Sequence, residues 1–176
     1  SYYLGVLIDR NDDIFESNES DNRCYWNSPK VLIGGTPDAA RCDAIALINC
    51  GQQLQGTTAG HSNEFDAVDY QSCYGGGIAF RSQDKAYKLN VTTRSTLNIE
   101  LSNLSDDLDL FVLSECAPTP TCAGGSLKAN QETERVTVEN AIGTYYIIIE
   151  DYAEVGGTFT LSVNCEPVAT QEANLV

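Results

Sequence analysis

The sequence predicts an all-β fold: a jelly-roll-like antiparallel β-sandwich, clipped by disulfides and preceded by a strand-forming extension. Three observations point there. Short runs of β-branched and aromatic residues recur at close spacing, separated by Gly, Asn, Asp and Ser. Helix signals are nearly absent. Seven cysteines without a C-x-x-C pair, in a chain with one histidine, fit disulfides better than zinc.

The elements follow in chain order. Residues 1–8 are a run of strand formers, with Tyr2, Leu4, Val6 and Ile8 on one face. An acidic stretch over 9–22 follows, then Cys24-Tyr-Trp26 and a second apolar run over 31–33. This reads as a β-hairpin. An isolated hairpin is at best marginally stable in water, so it needs a sheet, in this chain or in another molecule. The loop-like join Gly34-Gly-Thr-Pro37 separates an extension (1–36) from a sandwich (37–166), which a patternless tail (167–176) follows.

Within the body, residues 43–49 are too short for a convincing helix and predict a strand leading into Cys50-Gly51. Residues 86–91 alternate with one apolar face, and 96–101 alternate more cleanly, burying Leu97, Ile99 and Leu101. Further strands are expected at 108–113, 135–138, 144–150 and 158–163. Residues 147–149 are apolar on both faces, which predicts a central strand. Residues 140–143 and Gly156-Gly157 are turn signals.

Composition narrows the function classes. A chain of 176 residues suits one domain with an appendage, and 42% hydrophobic content excludes a disordered chain. A net charge of −15 and a pI near 4.1 argue against nucleic acid and anionic membrane as partners, because both carry the same sign. No stretch approaches the roughly 20 apolar residues of a membrane span. With no signal peptide and no methionine, the sequence is expected to be a mature, processed or excised product. The cysteines place it outside the cytoplasm.

Six cysteines allow fifteen connectivities, and one of them is taken as a hypothesis. Cys116 with Cys122 would clip a Pro-rich loop, Cys50 with Cys73 the loop around His61, and Cys42 with Cys165 the ends of the body. Cys24 is then left over. Either one of these pairs is wrong, or Cys24 is free, or it bonds another molecule.

Calcium takes six to eight oxygens from carboxylates and carbonyls, and two acidic clusters offer them. Asp9, Asn11, Asp13 and Glu16 sit at loop-like spacing without the central glycine of an EF-hand. Asp106, Asp107 and Asp109 crowd one strand entry, where Glu132, Glu134 and Asp151 are placed to approach. Three such carboxylates repel one another unless solvated or bridged by a cation. A solvated acidic turn is the competing reading at each cluster. Catalysis finds no comparable support: His61 lies in a polar loop with no nucleophile elbow, and no pair of carboxylates stands out. The chain is expected not to be an enzyme. Tyr70 and Tyr74, beside the run Gly75-Gly-Gly77, are the best candidates for exposed, sugar-stacking aromatics.

Three pieces in order, Ala86-Tyr-Lys-Leu, Ser105-Asp-Asp-Leu-Asp-Leu-Phe-Val-Leu113, and Gly143-Thr-Tyr-Tyr-Ile-Ile-Ile149 with Thr158-Phe-Thr-Leu-Ser-Val163, resemble the bacterial pre-peptidase C-terminal domain over about residues 40–166. That domain is a jelly-roll-like sandwich of secreted proteins. The entry Cys42…Cys50-Gly…Gly56-Thr-Thr, with Cys116, Cys122 and Cys165, is similar to a variant in secreted proteins of Bacteroidetes-type bacteria. Residues 3–9 and 14–22 resemble the closing hairpin of the CARDB adhesion module, whose earlier strands are missing. These resemblances imply surface display, substrate attachment or targeting by a bacterial extracellular protein, not a reaction.

Two functions follow. In the first, Tyr2, Leu4, Val6 and Ile8 complete a neighbouring copy's sheet, giving a head-to-tail homopolymer, an extracellular filament rigidified by calcium. Cys24 would lie at the junction. In the second, the chain is a carbohydrate-binding or targeting appendage of a larger secreted hydrolase, with extracellular polysaccharide as partner.

Overall fold

A computed structural model describes residues 42, 44–67, 69–75, 80, 82–117, 120–152 and 156–169. The extension, with Tyr2, Leu4, Val6, Ile8, Asp9, Asn11, Asp13, Glu16 and Cys24, lies outside the described residues. The elements are β1 (Ala46–Ile48), β2 (Gln53–Thr57), α1 (Gln71–Tyr74), β3 (Asp84–Ser102), β4 (Leu108–Leu113), β5 (Cys122–Ser126), β6 (Glu134–Asp151) and β7 (Thr158–Pro167).

Hydrogen bonds run through the strands in the order β2-β7-β3-β6-β4-β5, with β1 parallel to β3 and every other pairing antiparallel. β3 and β6 are each one long strand where the sequence suggested two. The turn signal at 140–143 is a bend inside β6 rather than a reversal. Asn140 (φ 55°) and Gly143 (φ 102°) adopt the left-handed backbone, and the β3 register shifts between Val91 and Leu97 opposite them. Such irregularities bend a strand without ending it.

The bend divides each long strand between two layers. In the front sheet, residues 84–91 of β3 pair with 143–150 of β6, flanked by β1 on one side and by β4 and β5 on the other. In the back sheet, residues 95–102 of β3 lie between β7 and the first half of β6, with β2 beyond β7. Inward residues of both layers, among them Leu89, Leu110 and Ile147 from the front and Leu97, Ile99 and Leu161 from the back, form one buried cluster. Each such side chain stabilises the fold by roughly 1.5–3 kcal/mol relative to exposure. Gly56 pairs with Phe159, and a Cβ there would lie 2.5 Å from the Phe159 ring, so only glycine lets β2 close over it.

The front sheet is apolar on its outer face too. Phe111, Leu113 and Ile148 are buried against Cys42, Phe65, Tyr70 and Phe80, so the segment between β2 and β3 forms a cover. β6, between β3 and β4, is therefore sealed on both faces around Ile147, Ile148 and Ile149.

Cys42, Cys50, Cys73, Cys116, Cys122 and Cys165 are all bonded, but in other pairs than those expected. The disulfides are Cys42–Cys116, Cys50–Cys165 and Cys73–Cys122. Cys116 and Cys122 do not close their own loop, because the backbone already does: Ser114 N–H donates to Thr121 O at 2.9 Å. Cys122 instead meets α1, which covers the β5 edge. Cys50 is drawn to β7 by Gly51 N–H donating to Val163 O at 2.8 Å and Val163 N–H donating to Gln52 O at 3.0 Å. Spatial proximity follows the sheet order, not the sequence interval.

Candidate functional site

Two polar arrangements stand out on this scaffold, one buried and one open. The buried one is a row of acids across the front sheet. Asp84 of β3 pairs with Glu150 of β6, and Glu150 pairs with Asp109 of β4. Paired residues on adjacent strands point to the same face. All three are buried, Glu150 completely. They lie on the face shared by Phe111 and Ile148, beneath the cover.

The cover is fastened to this row. Glu64 N–H and Phe65 N–H donate to Asp84 Oδ2 at 2.6 and 2.8 Å. Tyr70 donates its hydroxyl to Glu150 Oε2 at 2.9 Å, with its ring stacked on Phe111 at 4.0 Å and Phe80 against its edge. Glu150 Oε1 and Ser82 Oγ have no partner among the described residues. Burial pushes the Glu150 carboxyl up to about 9. The Asp84 and Asp109 charges act in the same direction, and the hydrogen bonds from the Tyr70 hydroxyl and the Ser82 backbone oppose them. Burial, then Asp107 and Glu134, push Asp109 up to about 7. Burial, then the Glu150 and Asp84 charges, raise the Tyr70 phenol well above its ordinary range.

These positions revise one expectation. Tyr70 is fully buried and Tyr74 half-buried, so Tyr70 is a core ring rather than a sugar platform. The run 108–113 alternates between two covered faces, which hides both. Within the acidic set, the charges of Asp107 and Glu134 act on Asp109, and those of Asp106 and Asp151 act on Asp107. Asp106 Oδ1 accepts from Asp107 N–H at 2.8 Å within the loop, while Asp109 turns under the cover. Glu134 accepts from Lys128 N–H at 2.7 Å and from the Ser126 hydroxyl, and Asp151 accepts from Gly156 N–H. These carboxylates hold turns. Among the described residues, no three His, Cys, Asp or Glu side chains form a group that could hold a metal ion. His61 is exposed in the cover.

The open arrangement is a groove of about 650 Å³ over the back sheet. One row crosses four strands as Gln53, Ser162, Glu100 and Arg135, and the next as Asn164, Asn98 and Thr137. Neighbours along each row bind one another. Gln53 Nε2 donates to Ser162 Oγ at 2.8 Å, Arg135 Nε to Glu100 Oε2 at 2.9 Å, and Thr137 Oγ1 to Asn98 Oδ1 at 3.1 Å. Sequence reasoning missed this face. Its signal in the sequence is the polar half of the strand alternation.

Fold and surfaces together define a disulfide-clipped, nearly all-antiparallel β-sandwich domain. Residues 85–151 match the family model of the bacterial pre-peptidase C-terminal domain, which establishes the resemblance over β3 to β6. No curated protein matches the chain. Among solved structures, it is similar to the pre-peptidase C-terminal domain of collagenase from Bacillus anthracis. Identity is 17%, covering 68% of this chain and 94% of that one, with a TM-score of 0.48. The periplasmic g-type lysozyme inhibitor PliG of Aeromonas hydrophila shows 14% identity over 68% of this chain and 97% of its own, with a TM-score of 0.40. Salmonella Typhimurium PliG shows 10% over 68% and 99%, with a TM-score of 0.32. No helix among the described residues is long and apolar enough to cross a membrane.

Proposed function

We propose that the chain is a secreted, non-catalytic attachment module whose back sheet binds an extended, uncharged polysaccharide. The observation that carries this reading is the polar ladder across β2, β7, β3 and β6. Strands lie about 4.8 Å apart, a spacing close to one hexose of an extended chain. A polymer crossing the strands would meet an amide or hydroxyl at nearly every step. The one basic and one acidic group at the centre, Arg135 and Glu100, neutralise each other at 2.9 Å. That favours a neutral polyol on a molecule whose net charge is −15. The disulfides suit an oxidising, extracellular setting.

The test is binding to a panel of neutral polysaccharides by affinity electrophoresis, with Asn98→Ala and Arg135→Ala as variants. Retardation lost at least tenfold in either variant is the expected result. Equal binding by the variants, or none by the native chain, overturns the reading.

Strand donation is a second reading, favoured by one feature: residues 134–141 of β6 bond to β3 on one side and have no strand beyond them among the described residues. Tyr2, Leu4, Val6 and Ile8 of a neighbouring copy would pair along such an edge and build a head-to-tail filament. Calcium held by Asp9, Asn11, Asp13 and Glu16 would neutralise the junction, and Cys24 would lie beside it. Electron microscopy of the purified chain, with calcium and then with a chelator, tests this. Filaments that shorten on chelation are expected, and monodisperse particles under both conditions overturn it.

A further inference from the structure

The acid row joins two facts that the binding surfaces leave unused. A fully buried carboxyl group has one oxygen without a partner among the described residues, and a tyrosine of the cover binds the other. We propose that Glu150 keeps the cover shut as a neutral acid, so that the Tyr70 contact is a pH-sensitive latch that opens in alkali.

The surroundings of Glu150 explain the direction. Asp84 faces it from β3, Asp109 from β4, and the Tyr70 hydroxyl and Ser82 from the cover side; Asp69 adds negative charge beside Tyr70. Among the described residues, none of these groups is a cation. Lys88 shares the face, but its ammonium sits 5.8 Å from the Tyr146 ring, two pairs further along. Ionising Glu150 would therefore place a charge in a dry site between two carboxyl groups. Water relieves that charge only if the cover lifts.

Closed, the carboxyl keeps its proton up to a pH of about 9; opened to water, it returns to its ordinary value of 4.5. Above about pH 7, where Asp109 has lost its own proton, and up to about 9, the closed form holds one proton more than the open form. The open fraction therefore rises up to about tenfold per pH unit and levels off above the upper value. The motion is bounded, because the Cys73–Cys122 bond tethers the cover to β5. The core between the sheets lies on the other side of the front sheet and stays closed. Opening would bare Phe111, Leu113 and Ile148.

Hydrogen exchange of the full chain between pH 7 and 10, above the Asp109 titration, with intrinsic rates divided out, tests the latch. Amides at Phe65, Asp69 and Cys73 are expected to open about tenfold more per pH unit, while those of Ile99 and Leu161 stay flat. Glu150→Gln keeps the Tyr70 hydrogen bond without the titration and should abolish the rise. A flat native profile, an unchanged slope in Glu150→Gln, or cover and core opening in step overturns the proposal. Should Glu150→Gln fail to fold, Asp109→Asn decides. Removing a neighbouring charge must bring the levelling-off to lower pH, and an unmoved profile refutes the latch.

Discussion

Gly56 and Glu150 are decisive single residues for opposite reasons. Gly56 matters for what it lacks: β2 closes over Phe159 only because no Cβ intervenes. Gly56→Ala is expected to destabilise the fold by about 1–3 kcal/mol through overpacking, measured by denaturant unfolding. Glu150 matters for the proton it keeps. Its folded value of about 9 lies above the unfolded 4.5, and that of Asp109, about 7, lies above 3.8. In these windows the folded chain binds more protons than the unfolded one, so stability falls as pH rises. The melting temperature is expected to decline from about pH 4 to about pH 9, as followed by calorimetry. A melting temperature that rises over that range contradicts the buried-acid account.

At the scale of elements, the two long strands explain most of the architecture. The alternation in 86–91 and 96–101 was legible, as was the polar interval between them. That the interval bends one strand instead of separating two was not, because left-handed residues such as Asn140 and Gly143 serve turns and bulges alike. The short run Cys122–Ser126 escaped notice since Gly124 and Gly125 weaken any strand pattern. A Cβ at Gly124 would meet Val136 at 2.5 Å, so packing, not propensity, put glycine there. The disulfides join elements rather than close loops. Replacing both Cys50 and Cys165 by Ser opens a link spanning 115 residues and is expected to cost about 3–5 kcal/mol. The Cys73 and Cys122 pair, spanning 49, should cost less and mainly loosen α1 from β5. Thermal melts of the two double variants check that order.

For the whole molecule, the described residues already contain two layers, an apolar cluster on each face of the front sheet and three disulfides. A chain lacking residues 1–36 is therefore expected to fold and to unfold in one cooperative transition near the full chain's midpoint. Circular dichroism and denaturant titration measure this. A truncated chain that aggregates or unfolds would show that the extension completes its own sandwich, and would remove the strands that filament assembly needs. The same truncation leaves the back-sheet groove intact, so polysaccharide binding should survive it unchanged.

By itself, the sequence determined the class of fold, the buried face of most strands and which cysteines within the body would be consumed. Those properties follow from local alternation and composition, which need no knowledge of neighbours. Only the tertiary structure decided which cysteines meet, which side of the front sheet is covered, and which acids share a dry row. Asp84, Asp109 and Glu150 are far apart along the chain and ordinary in local pattern. Strand register puts them side by side, and Tyr70, which sequence reasoning assigned to the surface, seals them from water.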